Sequence, residues 1–181
     1  MRVGLRAIAA PSWAVLGVVV LLVESVVRLG SVAIAGIVGG LRPHEWAALA
    51  AGIAVMGYVE GYRTFSRSFG PRVVERSFEL AGARPALYVA LGPLYAMSLV
   101  GDTRRRMAKS WALVAAIVAI VVAVRSLPPT WRGIVDASVA LSLSWGVVAL
   151  CAQWLSRLRR ELDRRAADAA PRPRSTPGRP A

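Results

Sequence analysis

Three acidic residues sit inside or at the edge of long apolar runs: Glu24, Glu60 and Asp136. An ionisable group in hydrocarbon is costly, and it persists where it carries a proton, grips a substrate or is neutralised by a neighbour. Each of the three has an arginine within one helical turn, namely Arg28 at i+4, Arg63 at i+3 and Arg132 at i−4. That spacing predicts three self-neutralised pairs. Glu60 has the richest surroundings, because Tyr58 and Tyr62 offer phenolic hydroxyls while Gly57 and Gly61 allow close backbone approach. A proton or substrate site, if the chain has one, is expected at Glu60 with Arg63 and Tyr62 beside it.

Other chemistry is thinner. His44 is the single histidine and adjoins Glu45, which supplies at most two ligands and lacks the i, i+4 spacing of a zinc-binding helix. The single Cys151 lies within an apolar run, so it forms no intrachain disulfide and reads as a small buried hydrophobe. Asp102-Thr-Arg-Arg-Arg presents guanidinium groups that suit a phosphate, yet the charge needed to orient a membrane protein accounts for the same arginines. There is no glycine-rich phosphate loop, cysteine cluster or nucleophile elbow. The expectation is a non-enzymatic protein with no cofactor and no metal.

The elements that carry these residues follow from how charge and apolar residues are segregated. The chain is 56% hydrophobic yet carries a formal net charge of +13. Both hold because 46–59, 85–101, 110–124 and 137–155 contain no charged residue, and 7–41 contains only Glu24 and Arg28. A hydrocarbon core of about 30 Å needs about 20 helical residues, so these runs cross once their flanking Trp, Tyr and Arg reach the headgroups. Basic residues fall in the gaps between runs rather than on one folded polar face, which excludes a nucleic-acid binder and points to membrane orientation. Only Lys109 among the basic residues is a lysine, a bias that reads as the coding preference of a GC-rich bacterial genome. The first run follows Arg2 and Arg6 and reads as a retained signal anchor.

Two threadings compete. Five spans divide the basic residues almost evenly between the two sides. If 85–101 instead enters and leaves on one face, only Arg42, Arg125 and Arg132 lie outside, with Arg28 inside the first run. The second is the better polarised, and Gly92-Pro93 breaks 85–101 at its centre as a re-entrant segment requires. The predicted fold is therefore all-α: a polytopic helical membrane protein with four spans plus a broken or re-entrant segment, five spans being the alternative. It places residues 1–155 in the membrane domain, with both termini on the cytoplasmic face of a bacterial inner membrane. Trp13, Trp46, Trp111, Trp131 and Trp154 near run ends fit an aromatic belt, and Trp145 alone falls mid-span. Gly36-x-x-x-Gly40, Gly57-x-x-x-Gly61 and the stripe Ala115, Ala119, Ala123 are expected to pack helices together.

Between the second and third runs, GYVEGYRTFSRSFGPRVVERSFEL (57–80) alternates arginines with aromatics. Phe65 and Phe69 share a helical face, Gly70-Pro71 reads as a break, and Val74, Phe78 and Ala81 form a second face. This pattern predicts an interfacial segment over 63–84, aromatic side down, with Arg63, Arg67, Arg72 and Arg76 toward anionic lipid headgroups or a partner. Residues 156–170 read as a separate polar helix with i, i+4 pairs, and the Pro-rich 171–181 reads as disordered.

The blocks YVEGYRTFSRSFGPRVVERS (58–77) and LPPTWRGIVDASVALSLSWG (127–146) resemble an uncharacterised family of small multi-spanning bacterial membrane proteins. The resemblance implies a bacterial membrane location and no activity. Function is expected to be that of an accessory or assembly component with a basic cytoplasmic surface, its partners the bilayer, anionic headgroups and a membrane-protein partner or a second copy. The alternative is a small oligomeric transporter or channel subunit that uses Glu60.

Overall fold

The structure, a computed structural model, describes residues 2–80 and 86–169. It is all-helical, with no strand among the described residues. The helices are α1 (Arg2–Ile37), α2 (Pro43–Met56), a π-helix (Gly57–Phe69), α3 (Gly70–Glu79), α4 (Ala86–Ala90), α5 (Gly92–Ala96), α6 (Arg104–Arg125) and α7 (Pro129–Ala169). Three of them are long and apolar enough to cross a membrane: α1 over Ile8–Ile37, α6, and α7.

Boundaries follow local chemistry. Gly40, at φ 86°, closes the turn after α1. Glu45 then accepts the Arg42 amide at 2.7 Å in a capping box, and Pro43 occupies the first turn of α2, where its missing N–H costs nothing. His44 and Glu45 are thus helix-start residues. The Pro128-Pro129 pair starts α7, and from Val147 to Ala169 no glycine or proline stops it. The span and the expected polar tail helix are consequently one helix of 41 residues. Of the tail pairs, Arg165–Glu161 forms, at 3.1 Å. Residues 171–181 lie outside those described.

The expected break at Gly70-Pro71 is absent. Gly57 and Gly70 both have right-handed helical dihedrals, so α2, the π-helix and α3 form one unbroken helix from Pro43 to Glu79. Proline contributes no amide to either ladder, and Pro71 marks the change from π to α pairing without ending the helix. A π stretch of 13 residues is far longer than the single-turn bulges in which i→i+5 bonding is ordinarily seen.

The core is a three-helix bundle. α1 runs antiparallel to α7, with Gly36 against Gly133 at one end and Val15 and Val18 clustered with Leu150 toward the other. The helix Pro43–Glu79 runs parallel to α7, as the succession of neighbours shows: Gly52 meets Ser138, Gly61 meets Trp145, and Gly70 meets Gln153. A Cβ at Gly133 would lie 3.1 Å from Gly36 Cα and 3.2 Å from the Ala33 carbonyl, so the two backbones touch. Gly36 and Gly61 therefore pack as expected, whereas Gly40 and Gly57 meet nothing.

Residues 85–101 break as the sequence predicts, into two five-residue helices, neither long enough to cross. Gly92 packs on Trp13 and Ala14, and Pro93 on Gly17, which docks α5 against the first half of α1. By contrast α6 has no buried residue anywhere in its length, and Ala115, Ala119 and Ala123 face away from the rest of the chain.

Candidate functional site

Glu60 sits where the π-helix passes α7. Its carboxylate accepts from Ser142 Oγ at 3.0 Å, and the same hydroxyl lies 2.9 Å from the Val139 carbonyl, so one proton serves two acceptors. Ser142 is buried and falls within the charge-free stretch 137–155 of α7. Glu60 is thus deep along the bundle, not at a run end.

The expected Glu60–Arg63 pair does not form among the described residues. A π turn takes more than four residues, so the same-face neighbours of a side chain lie four and five positions on, and a residue three on is turned away. The side chains follow that rule: Thr64 Oγ1 donates to the Val59 carbonyl, Ser66 Oγ to that of Gly61, and Arg67 to the Tyr62 hydroxyl, each five apart. Arg63 is left exposed. Nor does Tyr62 bond Glu60 among the described residues; its hydroxyl accepts from Arg67 at 3.0 Å and its ring stacks on Tyr58. Glu24 and Arg28 likewise form no ion pair and both are exposed. Only Asp136 finds its predicted cation, Arg132, at 3.5 Å.

The seam continues below Glu60. Trp145 donates its indole N–H to Ser66 Oγ at 3.1 Å, and Gln153 Nε2 donates to the Ser66 carbonyl at 2.9 Å. Gln153 Oε1 has no hydrogen-bond donor and lies against Gly70, where a side chain would collide with it. A Cα–H···O contact is what remains for it. Ser138, Ser142 and Trp145, at i, i+4 and i+7 on α7, are the residues the sequence analysis missed. Their common spacing was the available signal.

The aromatic face of 57–80 is not turned to lipid. Phe65 packs on Gly146 of α7, Phe69 packs against the core cluster, and the two rings meet edge-on at 5.4 Å. Bundle contact wins because glycine at 146 opens a slot the width of a ring. Of the four arginines expected on that surface, Arg63, Arg67 and Arg72 are exposed, and Arg72 bonds back to Ser68.

Arg76 belongs to a separate, half-buried cluster. Its guanidinium pairs with Asp102 at 2.5 Å, donates to the Tyr95 and Gly101 carbonyls, and lies 4.4 Å from the centre of the Tyr95 ring. Tyr95 in turn donates to Glu79 at 2.8 Å. Gly101, at φ 72°, is required here, since a Cβ would come 2.9 Å from both the Tyr88 and Tyr95 rings. Burial, the largest influence on Asp102, pushes its carboxyl up. The Thr103 amide, Arg76, Ser98 and Arg106 together outweigh it and hold the group below the usual carboxylate range. The Asp102-Thr-Arg-Arg-Arg motif therefore satisfies its own acid and clamps α3 to the start of α6.

No group of three or more His, Cys, Asp or Glu side chains is placed to hold a metal among the described residues. Cys151 is free and partly buried. No known family model, curated protein or solved structure matches the chain, and the resemblance of 58–77 and 127–146 rests on those residues alone.

Proposed function

We propose that the chain is a multi-pass protein of the bacterial cytoplasmic membrane with four crossings: α1, α2 together with the π-helix, α6 and α7. The helix directions support this reading. α1 opposes both α7 and Pro43–Glu79, and α5 docks at the end of α1 that also meets α3 and the later half of α7. That end carries nearly all the arginines and is the cytoplasmic face by the positive-inside rule. A reporter fused after Ala181 is expected to read cytoplasmic, and a periplasmic reading overturns the threading.

The protein acts as a non-enzymatic accessory or assembly component. The observation that carries this is α6, which is tied at one end by Asp102 and Ser110 and at the other by the short turn into α7, yet buries nothing in between. A span held off its own bundle presents all of its sides to other spans or lipids. Arg67 and Arg72, nearer the end of the crossing made by α2 and the π-helix, add a basic face for anionic headgroups or a partner.

The second reading, a small transporter or channel subunit, draws on one observation: Glu60 sits deep along the bundle without its expected cation. Glu60→Gln separates the two, since the amide oxygen still accepts from Ser142 and the fold is retained. Under the accessory reading the variant complements a deletion strain and recovers the same co-purifying proteins in mild detergent as wild type. Complementation lost at normal membrane abundance moves the assignment to transport.

A further inference from the structure

Four charged residues sit at matched depths on two flanks of the bundle. On α1, counting equal steps from the Gly36–Gly133 crossing brings Arg28 about level with Leu141 and Glu24 about level with Trp145. On the other flank, Glu60 bonds Ser142, and Arg63 falls between Gly61, which meets Trp145, and Phe65, which meets Gly146. Arg28 therefore shares a level with Glu60, and Glu24 with Arg63. Glu24, Arg28 and Arg63 are exposed, and no ion pair among the described residues involves any of the four.

These charges do not lie at a membrane boundary. Along α1 the exposed apolar side chains run from Trp13 through Leu16, Val20 and Val27 to Ile34 and Val38, and Glu24 and Arg28 fall in the middle of that stretch. Lipid is a poor environment for them there. We infer that a second copy of this chain covers them: α1 of one copy docks on the π-helix of the next, pairing Glu24 with Arg63 and Arg28 with Glu60. Copies related by rotation about the membrane normal keep their depths, so both pairs come into register at once. The surfaces are different on the two sides of the contact, so repetition about the membrane normal closes a ring where the rotation divides a full turn. This inference does not rest on the accessory reading, and it bears on the transporter reading by giving Glu60 a cation from a second copy; the crosslink between positions 24 and 63 leaves Glu60 untouched and so tests the interface apart from either.

The test uses full-length protein in a Cys151→Ser background. Copies bearing Glu24→Cys and a first tag are co-expressed with copies bearing Arg63→Cys and a second tag, and membranes are oxidised with iodine, which enters the bilayer. The expected result is an adduct carrying both tags, at least tenfold above either cysteine variant expressed alone. An adduct no stronger than that background overturns the interface. With both cysteines in one chain, a bond that forms only within single chains overturns it too. Independently, Glu24→Arg is expected to reduce the oligomer seen by native mass measurement about tenfold, and Glu24→Arg with Arg63→Glu to restore it. A double variant no better than the single one argues against the pairing, and the crosslink decides alone should charge reversal prevent insertion.

Discussion

Gly133→Leu is expected to abolish the folded bundle, while Gly30→Leu on the facing helix leaves it close to wild type. At Gly133 the nearest atoms to a new Cβ are the Cα of Gly36 and the carbonyl of Ala33, both backbone, and neither can rotate away. A leucine there must push α1 off α7 over the whole crossing. Overpacking a core ordinarily costs about 1–3 kcal/mol through side-chain shifts; a clash with backbone on the principal helix pair exceeds that and takes most of a marginal stability with it. Gly30 has nothing within 4 Å of its Cβ position and lines an open apolar cleft of about 440 Å³ between α1 and α7. The measurement is the fraction of monodisperse protein surviving a temperature series in mild detergent. Equal losses from the two leucines would show that the α1–α7 crossing is not what holds the bundle.

The reasons such a crossing escapes a sequence reading are specific. Gly36 was legible as a packing residue, because a small residue on an apolar helix has few other uses, but its partner Gly133 lies outside any small-x-x-x-small pattern with it. The stripe Ala115, Ala119, Ala123 has the better pattern and is exposed along the whole of α6. Spacing within one helix reports a face without reporting what meets it.

Apolar runs and the Gly92-Pro93 break were legible for a stronger reason, since the absence of charge and the missing proline amide act locally. Where the sequence misled, two assumptions failed: at Glu60–Arg63 the contact was projected at 3.6 residues per turn, and at Gly70-Pro71 a glycine-proline pair was taken to end a helix that in fact changes its pairing there. Over Gly57–Phe69 the winding is wider, so the i+3 arginine swings outward and the i+5 pairs Thr64–Val59 and Arg67–Tyr62 replace it. Winding is not the whole account, because in α1, an ordinary α-helix, Glu24 and Arg28 at i, i+4 also stay unpaired, whereas Arg132–Asp136 on α7 forms.

The cluster around Arg76 was illegible because its members lie 19 and 26 residues apart along the chain, and it sets the last expected result. Arg76→Ala removes the main cation from Asp102 and the donor from two carbonyls. Asp102 is 5% exposed and Arg76 12%, so solvent replaces little of what is lost. Breaking a buried pair from one side costs about 3–5 kcal/mol, because the remaining charge stays buried; the lower figure applies here, as the Thr103 amide and Arg106 still face the acid. Arg106 is 71% exposed and 3.7 Å away, so Arg106→Ala is expected to change stability by under about 0.5 kcal/mol. Adding Asp102→Asn to Arg76→Ala restores part of the loss by removing the stranded charge. The acid limb carries the same signature. A carboxyl held below its unfolded value stabilises the fold above that value and loses its contribution as pH falls through the lowered one. The contribution of Asp102 is therefore level from pH 8 to about 5 and declines below about 4. In Arg76→Ala the Thr103 amide, Ser98 and Arg106 are left to oppose burial without the main cation, so the part of that decline owed to Asp102 shrinks. Denaturant titrations of the purified protein at pH 7 and pH 3.5 read both effects; equal losses from Arg76→Ala and Arg106→Ala at pH 7 would mean that the clamp contributes nothing beyond surface charge.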